Sequence, residues 1–295
     1  MTGLIIKGVG GAYTVSAGDS GTFVCTARGV FRKIGVTPLV GDRVAFSVID
    51  SAEKTGMLLE ILPRRNELTR PRAANIEQVI VTMAVRLPAF DAGLLDRYLL
   101  LAENAAIPSV VICLNKSDLS PEVSGEKICG EILAPYLLAG YSAVTVSAET
   151  GEGLDGLRKL MEGKLSLFAG QSGVGKSSLV NRVAFGAARE TGSLSKKIDR
   201  GRHTTRHTEI IPLAPSGFCV DTPGFANLDI GMIPRERYAG LFREFTPFLG
   251  RCKFSDCRHL TEAGCAVRER VGNEIHPRRY ESYRQLMTAN EKGNF

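Results

Sequence analysis

The apolar run Lys164 to Ala169 passes without a break into Gly170-Gln171-Ser172-Gly173-Val174-Gly175-Lys176-Ser177, and then into a helical stretch, Ser178 to Val183. A strand, a glycine-rich loop and a helix in that order leave few folds open. The pattern Gly-x4-Gly-Lys-Ser lets backbone N–H groups curl around phosphate oxygens, with a strand to launch the loop and a helix N-terminus to finish it. Lys176 can then reach β- and γ-phosphate oxygens, and the Ser177 hydroxyl can ligate Mg2+ beside Ser178. Further apolar strands alternate with helical stretches around it: Gln78 to Ala84, Ser109 to Leu114, Tyr141 to Ser147 and Gly217 to Asp221. That alternation predicts a sheet flanked by helices. Leu94, Leu95, Tyr98, Leu99 and Ala102 recur at helical spacing and read as core packing.

Three other loops at strand ends carry polar residues of matching chemistry. Asn115-Lys116-Ser117-Asp118 terminates the strand Val110 to Leu114. A carboxylate at Asp118 can accept hydrogen bonds from guanine N1–H and the 2-amino group; adenine offers neither donor and would leave the charge unpaired. Asn115 can bond the N7 side of the purine and brace the loop, and the Lys116 stem can lie over the base plane. Read alone, the string could be a helix-entry turn capped by an Asp. Val146-Ser147-Ala148-Glu149-Thr150-Gly151 follows the next strand and supports the guanine reading, with the Ala148 N–H expected to meet guanine O6 beside Ser147. Asp221-Thr222-Pro223-Gly224 fits a γ-phosphate sensor, Asp221 holding Mg2+ through water and the Gly224 N–H bonding the phosphate, although in isolation it is an ordinary Pro-Gly turn.

Between Ser177 and Asp221 lies a polar, basic stretch from Lys196 to Thr208, expected to be a mobile loop. A threonine there, Thr205 or otherwise Thr204, would complete the Mg2+ shell. Phe225 directly after the Asp-x-x-Gly element cannot orient a water, so His203, or less favourably His207, is the candidate to do so, an imidazole being able to polarise water near neutral pH.

The first 70 or so residues read as short strands, Leu4 to Lys7, Ala12 to Ser16, Thr22 to Ala27, Arg43 to Ile49 and Leu58 to Ile61, a small all-β barrel. Arg28, Arg32, Lys33, Arg64, Arg65, Arg70 and Arg72 could give it phosphate contacts, or be a solvated face. The net charge of +6 leaves an extended anionic partner and a small anion about equally open. With no basic segment leading into an apolar one at the start, and no apolar run near the ~20 residues of a membrane span, a soluble cytoplasmic protein is expected.

Near the C-terminus Tyr238, Leu241, Phe242, Phe245 and Leu249 form a helical stripe, and from Pro277 a second amphipathic helix is expected with Arg278, Arg279 and Arg284 on a basic outer face. Between them Cys252, Cys257, His259 and Cys265 offer three thiols and an imidazole in one short segment. That is the ligand number and type of a closed tetrahedral Zn2+ site, with disulfides the weaker reading in a reducing compartment and buried thiols the other alternative. The other four of the seven cysteines, Cys25, Cys113, Cys129 and Cys219, lie scattered and read as core thiols.

The order of these elements is the unusual part. The base reader comes first, then the Ser-Ala loop, the phosphate loop, the threonine segment and Asp-x-x-Gly, and this order resembles the circularly permuted GTPases. With the N-terminal barrel, the string Gly201-Arg202-His203-Thr204-Thr205 and the Cys/His knuckle, the chain resembles the ribosome small subunit-dependent GTPase family (RsgA/YjeQ) over nearly its whole length. The resemblance implies an OB-fold barrel (1–72), a permuted α/β P-loop GTPase domain (73–228) and a C-terminal, mainly helical zinc-binding domain (229–295). It also implies GTP and GDP with Mg2+ and Zn2+, and subunit-stimulated GTP hydrolysis late in maturation of the small ribosomal subunit, with its rRNA and neighbouring proteins as partners; nothing in the sequence suggests an obligate dimer, and a monomer is expected. The apolar Phe225 agrees with that family and supports His203 as the water-orienting residue. An RNA-binding checkpoint whose hydrolysis only times release, or a permuted GTPase of the large subunit, are the competing readings. The permuted order further suggests that the zinc unit, attached just after Asp221, acts as an arm that reports nucleotide state.

Overall fold

The computed structural model describes residues 1–29, 31, 35–69, 71–119, 125–185, 208–213, 216–221 and 230–289. Five strands close the N-terminal barrel: β1 (Thr2–Val9), β2 (Ala12–Ser16), β3 (Thr22–Ala27), β4 (Arg43–Asp50) and β5 (Thr55–Ile61). They run in the order β1-β2-β3-β5-β4 and β4 pairs back onto β1, with β3 and β5 parallel and the other pairs antiparallel. This is the closed five-strand order of an OB-fold. Alternation decides what faces inward: on β3, Phe23 and Cys25 are buried while Thr22, Val24 and Thr26 are exposed. Ile5, Val15, Val44, Phe46 and Leu58 fill the rest of the barrel.

One of the arginines offered for phosphate contacts is spent on the fold. Arg64 grips the fully buried Asp42 with two hydrogen bonds, Nε to Oδ1 at 2.7 Å and Nη2 to Oδ2 at 2.8 Å, and also pairs with Glu67 at 2.6 Å. A buried carboxylate demands such a fork, and no periodicity in the sequence announces it. Arg28, Arg65 and Arg72 are exposed; Arg32, Lys33 and Arg70 lie outside the described residues.

A small hairpin, β6 (Glu67–Thr69) and β7 (Arg72–Ala74), leads into the second sheet. There β8 (Gln78–Ala84), β9 (Ser109–Asn115), β10 (Ser142–Thr145), β11 (Leu165–Ala169), β12 (Glu209–Pro212) and β13 (Phe218–Asp221) lie in the order β10-β9-β8-β11-β13-β12. The first five are parallel and β12 is antiparallel at their edge. Every residue of β8 and β11 is buried, as strands covered on both faces require. Val79, Val81 and Met83 meet α1 (Ala92–Asn104) and α2 (Gly125–Leu138) on one face. Ile80 and Phe168 meet α3 (Leu154–Met161) and α4 (Lys176–Phe185) on the other. β12 also pairs with β1 through Lys7 and Glu209, whose side chains form an ion pair at 3.0 Å, so barrel and nucleotide sheet become one eleven-stranded sheet.

The C-terminal unit departs from the expected long helix at Tyr238 to Leu249. Only α5 (Tyr238–Leu241) is α-helical; the chain turns extended at Phe242 (φ −91°, ψ 103°) and resumes as a 3-10 turn, Arg243–Phe248. Pro247 inside that turn removes a backbone donor, and the break brings the Phe242 and Phe245 rings to 5.2 Å of each other and to 5.4 and 5.0 Å of Tyr283. The last helix, α6 (Pro277–Thr288), forms as expected, but its basic outer face does not include Arg279. Arg279 is 2% exposed and points into the core, whereas Arg278 and Arg284 are exposed. Among the described residues no helix is long and apolar enough to cross a membrane.

Candidate functional site

Parallel strands present their C-terminal ends together, and ligands bind at that edge. Here Asn115 ends β9, the Val146-to-Gly151 loop follows β10, Gly170 follows β11 and Asp221 ends β13. Four of the loops singled out in the sequence therefore start from one edge of one sheet.

The phosphate loop depends on glycine at two points of close approach. Gly170 has φ 142° and a Cβ there would lie 2.2 Å from Thr82 O; Gly175 has φ 94° and a Cβ would lie 2.4 Å from Asn115 Nδ2. Val174 is fully buried and anchors the loop, while Ser172, Gly173, Ser177 and Ser178 are exposed and Gln171 is half-buried. Lys176 folds over the loop, its Nζ donating to Gly170 O at 2.6 Å and Gln171 O at 2.7 Å. Burial lowers its pKa, so the ammonium gains from any anion brought alongside.

The residues expected to read the base are cross-braced to that loop through Asn115. Asn115 is 1% exposed; its Nδ2 donates to Val174 O at 2.8 Å and its Oδ1 accepts the Ala148 N–H at 3.1 Å. The Ala148 N–H expected to meet guanine O6 is thus already engaged with Asn115. Ser147, fully buried, donates from Oγ to Asp118 Oδ1 at 2.5 Å and accepts the Thr150 N–H at 3.0 Å. Lys116 adopts φ 63° and its ammonium bonds Leu87 O. Thr204, Thr205, His203, His207, Gly224 and Phe225 lie outside the described residues, as does the environment of the Asp221 side chain.

Two contributors escaped the sequence reading. Arg182 on α4 donates to two carbonyls of the Ser147 loop, Ala148 O and Glu149 O. Its acceptors are main-chain atoms, so no residue pattern marks it. Glu262 caps the turn that carries His259 by accepting the N–H groups of Arg258 and Leu260 at 2.8 Å and of Thr261 at 3.0 Å. Partial burial alone would raise that carboxyl, but the surrounding backbone N–H groups pull it down to about 2.

In the knuckle, Cys252, Cys257, His259 and Cys265 gather with their ligand atoms within 4.8 Å of one another. His259 Nδ1 lies 3.5, 3.6 and 3.4 Å from the sulfurs of Cys252, Cys257 and Cys265, and the Cys252 and Cys265 sulfurs are 4.0 Å apart. Tetrahedral zinc with ordinary bond lengths needs ~3.6 Å between nitrogen and sulfur and ~3.8 Å between sulfurs, so the cluster fits Zn2+. Burial pushes the Cys257 thiol up to about 12, raises Cys265 and lowers His259; a divalent cation at their centre would pull the thiols down to thiolates and hold the imidazole neutral.

A phosphate loop on a parallel sheet, braced to a guanine-type reader that precedes it in the chain, defines a circularly permuted P-loop GTPase. Family comparison agrees: the model described as RsgA GTPase matches residues 61–231, and that of the RsgA N-terminal domain matches 2–57. The chain belongs to the RsgA family of GTPases and is a GTP hydrolase, an activity that consumes GTP, leaves GDP and uses Mg2+. It is 44% identical over 289 residues to the small ribosomal subunit biogenesis GTPase RsgA of Ruminiclostridium cellulolyticum, covering 97% of this chain and 93% of that one. The protein of the same name from Geobacillus kaustophilus is 43% identical over 282 residues, 95% and 94% of the two chains. Among solved structures, YjeQ from Thermotoga maritima superposes with a TM-score of 0.83 at 34% identity over 99% of both chains. YloQ, a circularly permuted GTPase, gives the same TM-score and identity over 100% of this chain and 96% of its own.

Proposed function

We propose that this chain is a Mg2+-dependent GTPase that binds the small ribosomal subunit during late maturation, hydrolyses GTP faster there, and leaves on hydrolysis. The observation that carries the reading is the junction of Asn115, Val174, Ala148 and Asp118, which ties base and phosphate loops into one pocket edge, in a chain whose full-length relatives are named for small-subunit biogenesis. Those names favour the small subunit over the large.

In the reaction, Asp118 accepts guanine N1–H and the 2-amino group, with Lys116 along the base and the Ala148 N–H shared between Asn115 and O6. Backbone N–H groups from Gly170 to Ser178 hold the phosphates, and Lys176 leaves its two loop carbonyls for the β- and γ-oxygens. Ser177 and Thr205, with Asp221 acting through water, would hold Mg2+, which would supply charge that offsets the phosphate oxygens. The Gly224 N–H senses the γ-phosphate, and His203 orients the attacking water.

Cys252, Cys257, His259 and Cys265 hold a structural zinc, since four protein ligands leave no open position for chemistry. The units are taken as 1–72, 73–228 and 229–295, acting as a monomer in the cytoplasm, with subunit rRNA met by exposed arginines. Purified small and large subunits, each incubated with the full chain and a non-hydrolysable GTP analogue, test the proposal. Retention on the small subunit together with stimulated hydrolysis is expected; retention on the large subunit alone overturns it. His203→Ala should abolish the stimulation while leaving GDP affinity unchanged, and unchanged stimulated turnover removes His203 from the mechanism.

A further inference from the structure

Arg182 spans two successive peptide units of the loop after β10. Its Nε donates to Ala148 O at 2.9 Å and its Nη2 to Glu149 O at 2.7 Å. A trans peptide unit points its C=O and N–H in opposite directions, so the Glu149–Thr150 unit is gripped at both ends: Arg182 on the carbonyl, and Ser147 Oγ on the Thr150 N–H at 3.0 Å. The Ser147 hydroxyl, 0% exposed, has its own proton directed to Asp118 Oδ1 at 2.5 Å. Four polar links therefore run from the phosphate-loop helix to the carboxylate that faces the base.

The anchor of this chain of bonds is stiff. Arg182 lies on α4, the helix that begins at Lys176, and its carbonyl accepts Arg158 Nη2 at 2.9 Å, while Arg158 is paired with Asp155 at 2.6 Å. α3 and α4 share one apolar core through Leu157, Met161, Leu179 and Val183. One helix thus fixes the phosphate lysine at its start and the base loop near its end. A guanidinium suits the task because its planar fork meets two carbonyls at once with charge-assisted bonds.

We propose that Arg182 is a positioning residue for base recognition: by clamping the Ala148 and Glu149 carbonyls it holds Ser147, and through Ser147 the Asp118 carboxylate, in the orientation that discriminates guanine. The proposal rests on the reading of Asp118 as the guanine acceptor. It differs from a mere tether of α4 in what it governs. A tether affects stability and the affinity for every nucleotide alike; a clamp on the Asp118 orientation affects the energy gained from the second hydrogen bond to the base.

The test compares GDP with inosine diphosphate, which lacks the 2-amino group and offers Asp118 one hydrogen bond in place of two. Dissociation constants are measured by titration calorimetry on the full chain and on Arg182→Gln, Arg182→Lys, Ser147→Ala and the Arg182→Gln/Ser147→Ala double variant, with thermal melts to verify folding. The preference for GDP over inosine diphosphate should fall about three- to tenfold in Arg182→Gln, the scale of one weakened charged hydrogen bond, and recover partly in Arg182→Lys. Because both side chains act along one path, the double variant should lose little beyond Ser147→Ala alone. Equal weakening of both nucleotides in Arg182→Gln, an unchanged preference, or full additivity in the double variant overturns the proposal. Should Arg182→Gln fail to fold, the Lys variant decides the matter by the same ratio. If the unmodified chain itself shows no preference for GDP over inosine diphosphate, the reading of Asp118 fails, and the clamp falls with it.

Discussion

Arg279, on the last helix, and Asp96, on the first helix of the nucleotide sheet, form a buried ion pair although 183 residues separate them in sequence. Glu244 completes a triad, accepting from Arg279 Nε at 2.7 Å, and the guanidinium lies 4.5 Å over the Phe242 ring. All three charged side chains are at most 3% exposed. The zinc-knuckle unit is therefore fastened to α1 by charge that has no water to fall back on, and any swing of that unit as an arm has to break this triad.

Removing the central charge should be costly. Arg279→Ala leaves two buried carboxylates facing each other without a counter-ion, a defect that costs about 3–5 kcal/mol in comparable sites. Urea unfolding followed by circular dichroism should show the loss as a lower midpoint, and amide exchange should rise first in α1 and α6. An unfolding free energy within about 1 kcal/mol of the parent's would mean that the triad contributes no net docking energy.

The knuckle should carry one zinc ion per chain and need it. Metal analysis of Cys257→Ser is expected to show loss of the ion, and a strong chelator should lower the melting temperature of the parent chain because metal binding to such clusters is folding energy. Nucleotide affinity should change little, since the cluster packs with Phe245, Tyr280 and Tyr283 rather than with the phosphate loop. A chain that purifies without metal and melts normally would contradict the site.

Base specificity should follow the Asp118 carboxylate. Asp118→Asn replaces an acceptor by a group that can donate to the 2-carbonyl of xanthine, so GDP binding should weaken by about two orders of magnitude while xanthosine diphosphate gains. Competition with a fluorescent GDP analogue measures both. An Asp118→Asn chain that still prefers GDP would show that the base is read elsewhere.

The barrel carries a simpler titration. The Glu53 and Ala52 N–H groups, at 3.0 and 2.8 Å from Asp50 Oδ1, hold that carboxyl below its ordinary value. A depressed carboxylate stabilises the β4–β5 turn fully above the unfolded pKa of about 3.9 and loses that contribution as pH falls through the lower folded value. Amide shifts of Ala52 and Glu53 should therefore titrate together below pH ~4 and become flat in Asp50→Asn. A midpoint at or above the ordinary value would contradict the two hydrogen bonds.

That the polar loops leave the ends of strands in one sheet, and that the Cys/His residues cluster, was legible because those patterns are local: particular side chains recur a few residues apart, next to an apolar strand or within one short segment. The barrel strands were legible for a related reason, since burial alternates with period two along β3 and its neighbours. The basic face expected of α6 fails at Arg279 because its place on the helix, not its charge, decides its burial. It falls in line with Tyr283 and Leu286 on the buried side of α6, so the helical period already placed it inward. The stripe from Tyr238 to Leu249 departs in the opposite sense: its apolar period continues past Phe242, where the backbone turns extended, into a 3-10 turn that contains Pro247.

Short-range pattern and ligand chemistry in the chain already specify a permuted order of loops on an α/β sheet, a small barrel before it and a Cys/His knuckle after it. Folding, by contrast, assigns Arg64 to Asp42, joins the two sheets by pairing β12 with β1, bonds Arg182 to the loop after β10, and ties the last helix to the first helix of the nucleotide sheet through Arg279. Each of these depends on a partner far away in the chain, often a main-chain atom. Such a pairing has no spacing or residue code; it exists only when folding removes both groups from water and leaves them nothing else to bond.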